Sequence, residues 1–293
     1  MPLWHARVPG HDAGTEALMP GGLATRHVAE TGSTNSDLLA EVQVAASTGM
    51  AFAPRLLVAA RQTAGRGRHG RRWESSAGAS LTFSLAWPFA ATVDLSGLSL
   101  AVGVALAEAL DPQPAGELSA RRIGLKWPND LWLVGGPPVD SGAGVGRKLG
   151  GVLIETAPCG ASVRVAVIGV GLNVREQAVD DAASGVACLA EIDAAATPDS
   201  ALHSLLPSLT MALRRFERDG FAAFARHFDA RDLLRGQTVG SARSGDAGAA
   251  VEGVAVGVTA SGELLLETAG GTLSVCCGEV RLRPLATTLP LPC

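Results

Sequence analysis

Four segments of this 293-residue chain concentrate groups able to handle anionic ligands. The densest is Arg61-Gln62-Thr63-Ala64-Gly65-Arg66-Gly67-Arg68-His69-Gly70-Arg71-Arg72-Trp73. Gly65, Gly67 and Gly70 formally satisfy GxGxxG, but a dinucleotide turn must open a helix and be followed about 20 residues on by an acidic ribose partner. Here a polar/apolar alternating run follows, and two intervening positions are Arg66 and Arg68. The segment reads better as a flexible backbone carrying Arg61, Arg66, Arg68, Arg71 and Arg72 around a phosphate-bearing ligand, since guanidinium groups make bidentate, charge-assisted bonds to phosphate oxygens. A solvated basic loop is the plain alternative. A nucleic-acid arm is another, without the interleaved aromatic platform that base stacking uses.

The second segment is Lys126-Trp127-Pro128-Asn129-Asp130. Lys126 and Asp130 could form a surface ion pair of little energetic weight, or the turn could present a carboxylate and an amide to a ligand or to Mg²⁺. The third is Arg147-Lys148-Leu149-Gly150-Gly151-Val152-Leu153-Ile154-Glu155, which sets an ammonium beside glycines where a backbone lets a ligand come close. It is not a phosphate-binding P-loop, because Leu149 stands where Ser or Thr would follow the lysine. The fourth is Ile168-Gly169-Val170-Gly171-Leu172-Asn173. Alternating glycines in an apolar strand suit either a flat ligand lying on the sheet or the close approach of another backbone. Lysine usage sharpens the picture: of 24 basic residues only Lys126 and Lys148 are lysine, and both fall in these segments. A compact ammonium resists replacement by a planar guanidinium where a point charge is required.

The elements that must position these groups are legible in outline. Residues 1–24 are aperiodic and suit a tail or a short first strand. Ser33, Thr34 and Asn35 precede a helical pattern, with Asp37 in its first turn. Residues 55–62 form a β-type run, 80–88 alternate like a half-buried strand ending at Pro88, and 95–112 is an Ala/Leu helix stopped at Asp111-Pro112. Two strands broken by a Pro-Asn-Asp turn follow over 123–134, then an exposed Gly/Pro loop over 135–146. Two further strands meet at Pro158–Gly160, and 198–230 is helical. From Gly236 short β runs with Gly-containing turns suggest about five strands of a small barrel, placing a boundary near 235.

Composition bounds the function. With 47% hydrophobic and 18% charged residues the chain can bury a sizeable core. A net charge of −4 argues against general nucleic-acid binding. Mean hydropathy is +0.25, yet no uninterrupted apolar run reaches membrane-spanning length. Five cysteines without a CxxC pair and six dispersed histidines suggest neither a disulfide framework nor a transition-metal site. The first residues lack a signal-peptide pattern, so a cytoplasmic location is expected.

Taken in order, Ser33-Thr34-Asn35, the 61–73 segment, KWPNDL, RKLGGVLIE and GVGLNV resemble the biotin–protein ligase family over roughly residues 25–283. The resemblance implies an α+β fold: a class II aminoacyl-tRNA synthetase/biotin ligase-like mixed sheet with helices over 25–235, then an SH3-like C-terminal domain over 236–293. It implies that biotin is activated by ATP to biotinyl-5′-AMP with release of pyrophosphate, then transferred to a lysine of a biotin carboxyl carrier domain of an acyl-CoA or pyruvate carboxylase. Ser33, Thr34, Asn35 and Gln62 would meet biotin's ureido end, with Gly65, Arg66, Gly67 and Arg68 lining the ligand. Lys148 would bridge the biotin carboxylate and the α-phosphate, and Gly151 would admit close approach. Arg66, Arg68, Trp73, Asn129, Asp130, Lys148 and Asn173 would serve ATP, with Asp130 at Mg²⁺. Arg66, Arg68 and Lys148 would be the catalytic cations. A repressor role is not expected, since only about 24 residues precede the catalytic region. The state would be monomer or homodimer, without DNA or membrane partners. A lipoate or octanoate ligase of the same fold is the nearest rival.

Overall fold

The computed structural model describes residues 15–19, 23–112, 122–135, 146–177, 185–242, 251–276 and 279–282. The Gly/Pro loop expected over 135–146 lies, apart from its two ends, outside the described residues. Thirteen strands and four helices are described, with eight strands in one mixed sheet of order β1-β2-β3-β4-β8-β7-β6-β5 and five in a second. The chain divides into two compact units, Met1–Thr92 with Leu153–Gly171, and Val93–Val152 with Leu172–Cys293.

In the first unit β1 (Thr15–Met19) pairs antiparallel with β2 (Leu23–Thr31), so the N-terminal stretch holds the short first strand that its sequence allowed. Helix α1 (Thr34–Thr48) follows, and β3 (Arg55–Gln62) then lies parallel to β2. Gly49, at φ 66, closes α1 by donating its N–H to the Ala45 and Ala46 carbonyls, a conformation that a β-carbon would resist. Leu38, Val42 and Ala45 of α1 pack with Leu57, Ala86, Val165 and Val167 into a core. β4 (Ser80–Ala90) is antiparallel to β3. It departs from the half-buried expectation, being buried from Ser80 to Trp87: it lies inside the sheet between β3 and β8 (Val163–Asn173), and α1 packs against it. The strand also continues past Pro88; the last residue paired with β3 is Ala86, so the missing N–H costs that ladder nothing.

In the second unit helix α2 (Leu98–Leu110) is buried almost all round, as an Ala/Leu helix without a charged face must be. β5 (Ile123–Lys126) and β6 (Asp130–Leu133) form a hairpin, and β7 (Arg147–Pro158) pairs antiparallel with β6. Helix α3 (Pro198–Asp219) opens on a reciprocal cap in which Ser200 N–H donates to Thr197 Oγ1 and Thr197 N–H to Ser200 Oγ. It stops at Gly220, so the expected 198–230 helix is interrupted before a short α4 (Ala225–Asp229). The C-terminal strands β9 (Thr238–Ala242), β10 (Val251–Val258), β11 (Leu264–Thr268), β12 (Gly271–Val275) and β13 (Glu279–Leu282) form an antiparallel sheet of order β12-β11-β10-β9-β13. That sheet begins three residues past the expected break at 235, and the compact units divide elsewhere.

Candidate active site

Polar side chains are packed where an apolar core would otherwise be in the first unit. Ser33, Thr34, Asn35, Gln62, Thr82 and Ser84 are all buried. Ser33 caps α1, with its carbonyl accepting from Asp37 N–H, which sets Thr34 and Asn35 in the first turn. Gln62 ends β3, and its Oε1 accepts from Thr34 N–H at 2.7 Å and from Thr34 Oγ1 at 3.0 Å. Ser84 Oγ lies 2.6 Å from both Thr34 Oγ1 and Asn35 Oδ1. Ser80, Thr82 and Ser84 alternate along one face of β4, and the Thr82 hydroxyl is buried with no hydrogen-bond partner among the described residues. The indole N–H of Trp73 is in the same state. Buried polar atoms left unpaired cost free energy, so Thr82 Oγ1 and Trp73 Nε1, two of five such atoms among the described residues, suit a place that a polar ligand completes.

The 61–73 segment is a small hairpin. Trp73 N–H donates to the Gly65 carbonyl at 2.9 Å and Gly67 N–H to the Arg71 carbonyl at 2.7 Å, with a tight turn over Arg68–Gly70. His69 holds φ 57 at its tip. The arginines are less uniformly aimed at a ligand than the sequence suggests. Arg61 pairs with Glu30 at 2.6 Å, Arg66 with Glu155 at 2.7 Å, and Arg72 reaches the Thr63 carbonyl at 3.5 Å. Gly169 and Gly171 are accounted for by side chains rather than by another backbone. A β-carbon at Gly169 would overlap the Asn35 amide, and one at Gly171 the Trp73 indole.

In the second unit the KWPND turn and the start of β7 form another polar group. Asp130 stands opposite Gly151 in the β6–β7 ladder, and Lys148 opposite Trp132. Lys148 Nζ lies 2.9 Å from Asp130 Oδ1. A β-carbon on Gly151 would press to 3.2 Å on that same oxygen, so the glycine leaves the ion pair its space. Lys126 stands opposite Asp130 in the β5–β6 hairpin, and its ammonium sits 4.6 Å from the Trp132 ring centre. Asn129 clamps β7 in both directions, donating through Nδ2 to the Val152 carbonyl and accepting at its own carbonyl from Val152 N–H, each at 2.9 Å. Asn173 is occupied too. Its Nδ2 reaches the Ala187 carbonyl at 3.2 Å and the Lys148 carbonyl at 3.4 Å, and its Oδ1 accepts from Gln177 at 2.9 Å. Both asparagines hold the backbone that carries Lys148.

Next to Lys148, Arg147 grips Glu191. Burial would raise the Glu191 pKa, but the hydrogen bond and charge of Arg147 hold it below the usual carboxylate range. Burial and Glu191 push the Cys188 thiol up. Among the described residues no three metal-ligating side chains come together. Mg²⁺ taken up with nucleotide phosphates asks for only one or two protein carboxylates, and Asp130 is the one beside Lys148. Sequence reasoning missed Ser84, Thr82 and Glu155. The first two carried a signal in the polar face of 80–84; Glu155 carried none beyond its place in the third segment.

The biotin/lipoate A/B protein ligase family model matches residues 47–173. The biotin–[acetyl-CoA-carboxylase] ligase of Mycobacterium tuberculosis is 35% identical over 259 residues, covering 86% of each chain. The bifunctional ligase/repressor BirA of Escherichia coli is 33% identical over 77% of this chain, which spans 65% of that protein's length. Among solved structures, the biotin protein ligase from Aquifex aeolicus in complex with biotin and ATP superposes with a TM-score of 0.66 at 26% identity, over 88% of this chain and 98% of that one. With a relative 35% identical over 86% of each chain and the family model matched over residues 47–173, the chain belongs to the biotin/lipoate A/B protein ligase family, in its biotin protein ligase branch.

Proposed function

We propose that this chain activates biotin with ATP and transfers the biotinyl group to a lysine of a carboxylase's biotin carboxyl carrier domain, in the cytoplasm. The observation that carries this reading is the buried polar cluster of Thr34, Asn35, Gln62 and Ser84, with two buried donors at Thr82 and Trp73 still unpaired. A ureido ring is a small planar group with both donors and an acceptor, and a site built to pair with it rejects acids that lack it. The rival lipoate and octanoate bring no such group.

Adenylation brings two anions together, so cations must offset charge as the carboxylate approaches. A carboxylate oxygen of biotin attacks the α-phosphorus of ATP, the new P–O bond makes biotinyl-5′-AMP, and pyrophosphate leaves. Lys148 is the point charge for that step, with Asp130 holding its ammonium beforehand; Asp130 would also be the carboxylate to hold Mg²⁺ brought in with the nucleotide, whose charge would offset that of the phosphates. Arg66 and Arg68 supply further positive charge from the hairpin, which also carries Trp73. Asn129 and Asn173 act by holding the strand that carries Lys148. In the second step the acceptor ε-amine attacks the acyl carbon, an amide forms, the amine's proton is lost and AMP departs. A mixed anhydride hydrolyses if water reaches it, so the site must keep water out once the intermediate has formed.

The test is ATP–pyrophosphate exchange with Mg²⁺ and biotin, lipoate, octanoate or no acid. Biotin-dependent exchange is expected. Exchange with lipoate or octanoate alone overturns the substrate, and no exchange with any acid overturns the reaction.

A further inference from the structure

One oxygen atom ties the hairpin to the polar cluster. Glu155 Oε2 accepts from Asn35 Nδ2 at 2.9 Å and from Arg66 Nη2 at 2.7 Å. Asn35 Nδ2 also reaches the Leu153 carbonyl, but at 3.3 Å, so Glu155 is its stronger acceptor. The consequences run inward. With both contacts taking N–H, the Asn35 amide is fixed in one sense, and its Oδ1 must face Ser84. The Ser84 hydroxyl has a single proton and two oxygens at 2.6 Å. Asn35 Oδ1 can only accept, so the Ser84 proton goes there, and the single proton of the Thr34 hydroxyl is then divided between Ser84 Oγ at 2.6 Å and Gln62 Oε1 at 3.0 Å. The cluster is thereby ordered from Glu155 through Asn35 to Ser84, whose hydroxyl lies against Thr34. Gly169 gives the amide its place, because any β-carbon there would overlap it.

We propose that Glu155 is a positioning residue for acid binding, acting through Asn35 on the ureido-facing turn and through Arg66 on the hairpin above it. This rests on the biotin reading given above. Asn35 then has no donor left for the ligand, and its part is to pass the position of Glu155 to Ser84 and Thr34. Because both bonds fall on the same oxygen, the arrangement needs an acceptor at that point rather than a negative charge. A glutamine whose Oε1 takes the place of Oε2 can make both bonds.

The experiment compares wild type, Glu155→Ala and Glu155→Gln in biotin-dependent pyrophosphate exchange, with biotin binding measured separately by calorimetry without ATP. Glu155→Ala is expected to raise the biotin KM and Kd about tenfold, the factor that about 1.4 kcal/mol of lost positioning gives, while kcat at saturating biotin stays within about threefold. Glu155→Gln is expected to restore both constants to within about threefold of wild type. A lowered kcat with unchanged KM in Glu155→Ala, the mark of a merely structural part, overturns the proposal. So does a glutamine variant as impaired as the alanine one, which would make charge the operative property. If wild type shows neither biotin binding nor exchange, the functional reading falls first and this proposal with it.

Discussion

A lysine that pairs with one aspartate across a glycine invites an obvious conservative test. Lys148→Arg keeps the charge but spreads it over a planar fork longer than the space above Gly151, where a single β-carbon already presses on Asp130 Oδ1 at 3.2 Å. Adenylation is expected to fall at least about a hundredfold, on the scale of losing one electrostatic stabiliser, with the melting temperature unchanged; near-wild-type exchange would remove Lys148 from its role. Gly171→Ala makes the complementary test in the other unit. The methyl group displaces the Trp73 indole, so the ATP KM is expected to rise about tenfold while the biotin Kd holds; an unchanged ATP KM would separate Trp73 from nucleotide binding. At this scale the sequence was informative where scarcity marked a residue. Lys148 stood out in a chain that otherwise uses arginine. Glu155 and Ser84 did not, because their meaning lies in contacts with Asn35, 120 and 49 residues away along the chain.

The turn Trp127–Asn129 shows how one element is held from several sides. Ser99 Oγ, at the start of α2, donates to the Pro128 carbonyl at 2.7 Å. The buried Trp127 indole donates to the Gly262 carbonyl, in the turn between β10 and β11, at 2.9 Å. Asn129 is clamped to Val152, and Asp130 opens β6. Trp127→Phe keeps the ring and deletes the donor, so urea denaturation is expected to show a loss of about 1 kcal/mol, with exchange activity falling as the turn loosens. Full stability in that variant would mean that the contact contributes nothing. The sequence showed this hairpin and its turn, since Pro-Asn-Asp between apolar runs has one local solution. It could not show that the C-terminal sheet supplies a carbonyl to it. The departure at β4 has a related cause: alternation predicts one wet face, but here the polar face, Ser80, Thr82 and Ser84, is buried too.

At the scale of the whole molecule, buried charge decides how stability follows pH. Asp111 ends α2 and accepts from the Arg122 and Ile123 N–H groups and from Arg231, whose side chain is 3% exposed. Burial alone would raise its pKa; the Ile123 N–H, Arg231 and the Arg122 N–H together carry it below the usual value. Its contribution is therefore present at neutral pH and lost as pH falls through the lowered folded-state value. The next residue along, Asp232, behaves oppositely. Burial pushes it up to about 6, and its Oδ2 has no partner among the described residues. A carboxyl raised in the folded state costs stability as pH climbs from its unfolded value near 4 through 6. Asp232→Asn is expected to stabilise the protein by about 1–2 kcal/mol at pH 8 and by little at pH 4.5, read from denaturation curves at the two values. Equal effects at both would show that the carboxylate pays no burial penalty. The sequence named Asp111 only as a helix stop, because nothing local announces the arginine that reaches it from 120 residues on.

The placement of the two lysines has a chemical consequence outside catalysis. The chain offers acylating reagents only two ε-amines, one drawn over the Trp132 ring and the other gripped by Asp130. An activated ester added in limiting amount thus meets only these two amines among the side chains. Its yield at Lys148, counted by mass spectrometry with and without biotin and ATP, becomes a direct gauge of how far that amine is covered. An enzyme whose intermediate is itself an amine-reactive anhydride is, by the same scarcity, a poor target for its own product.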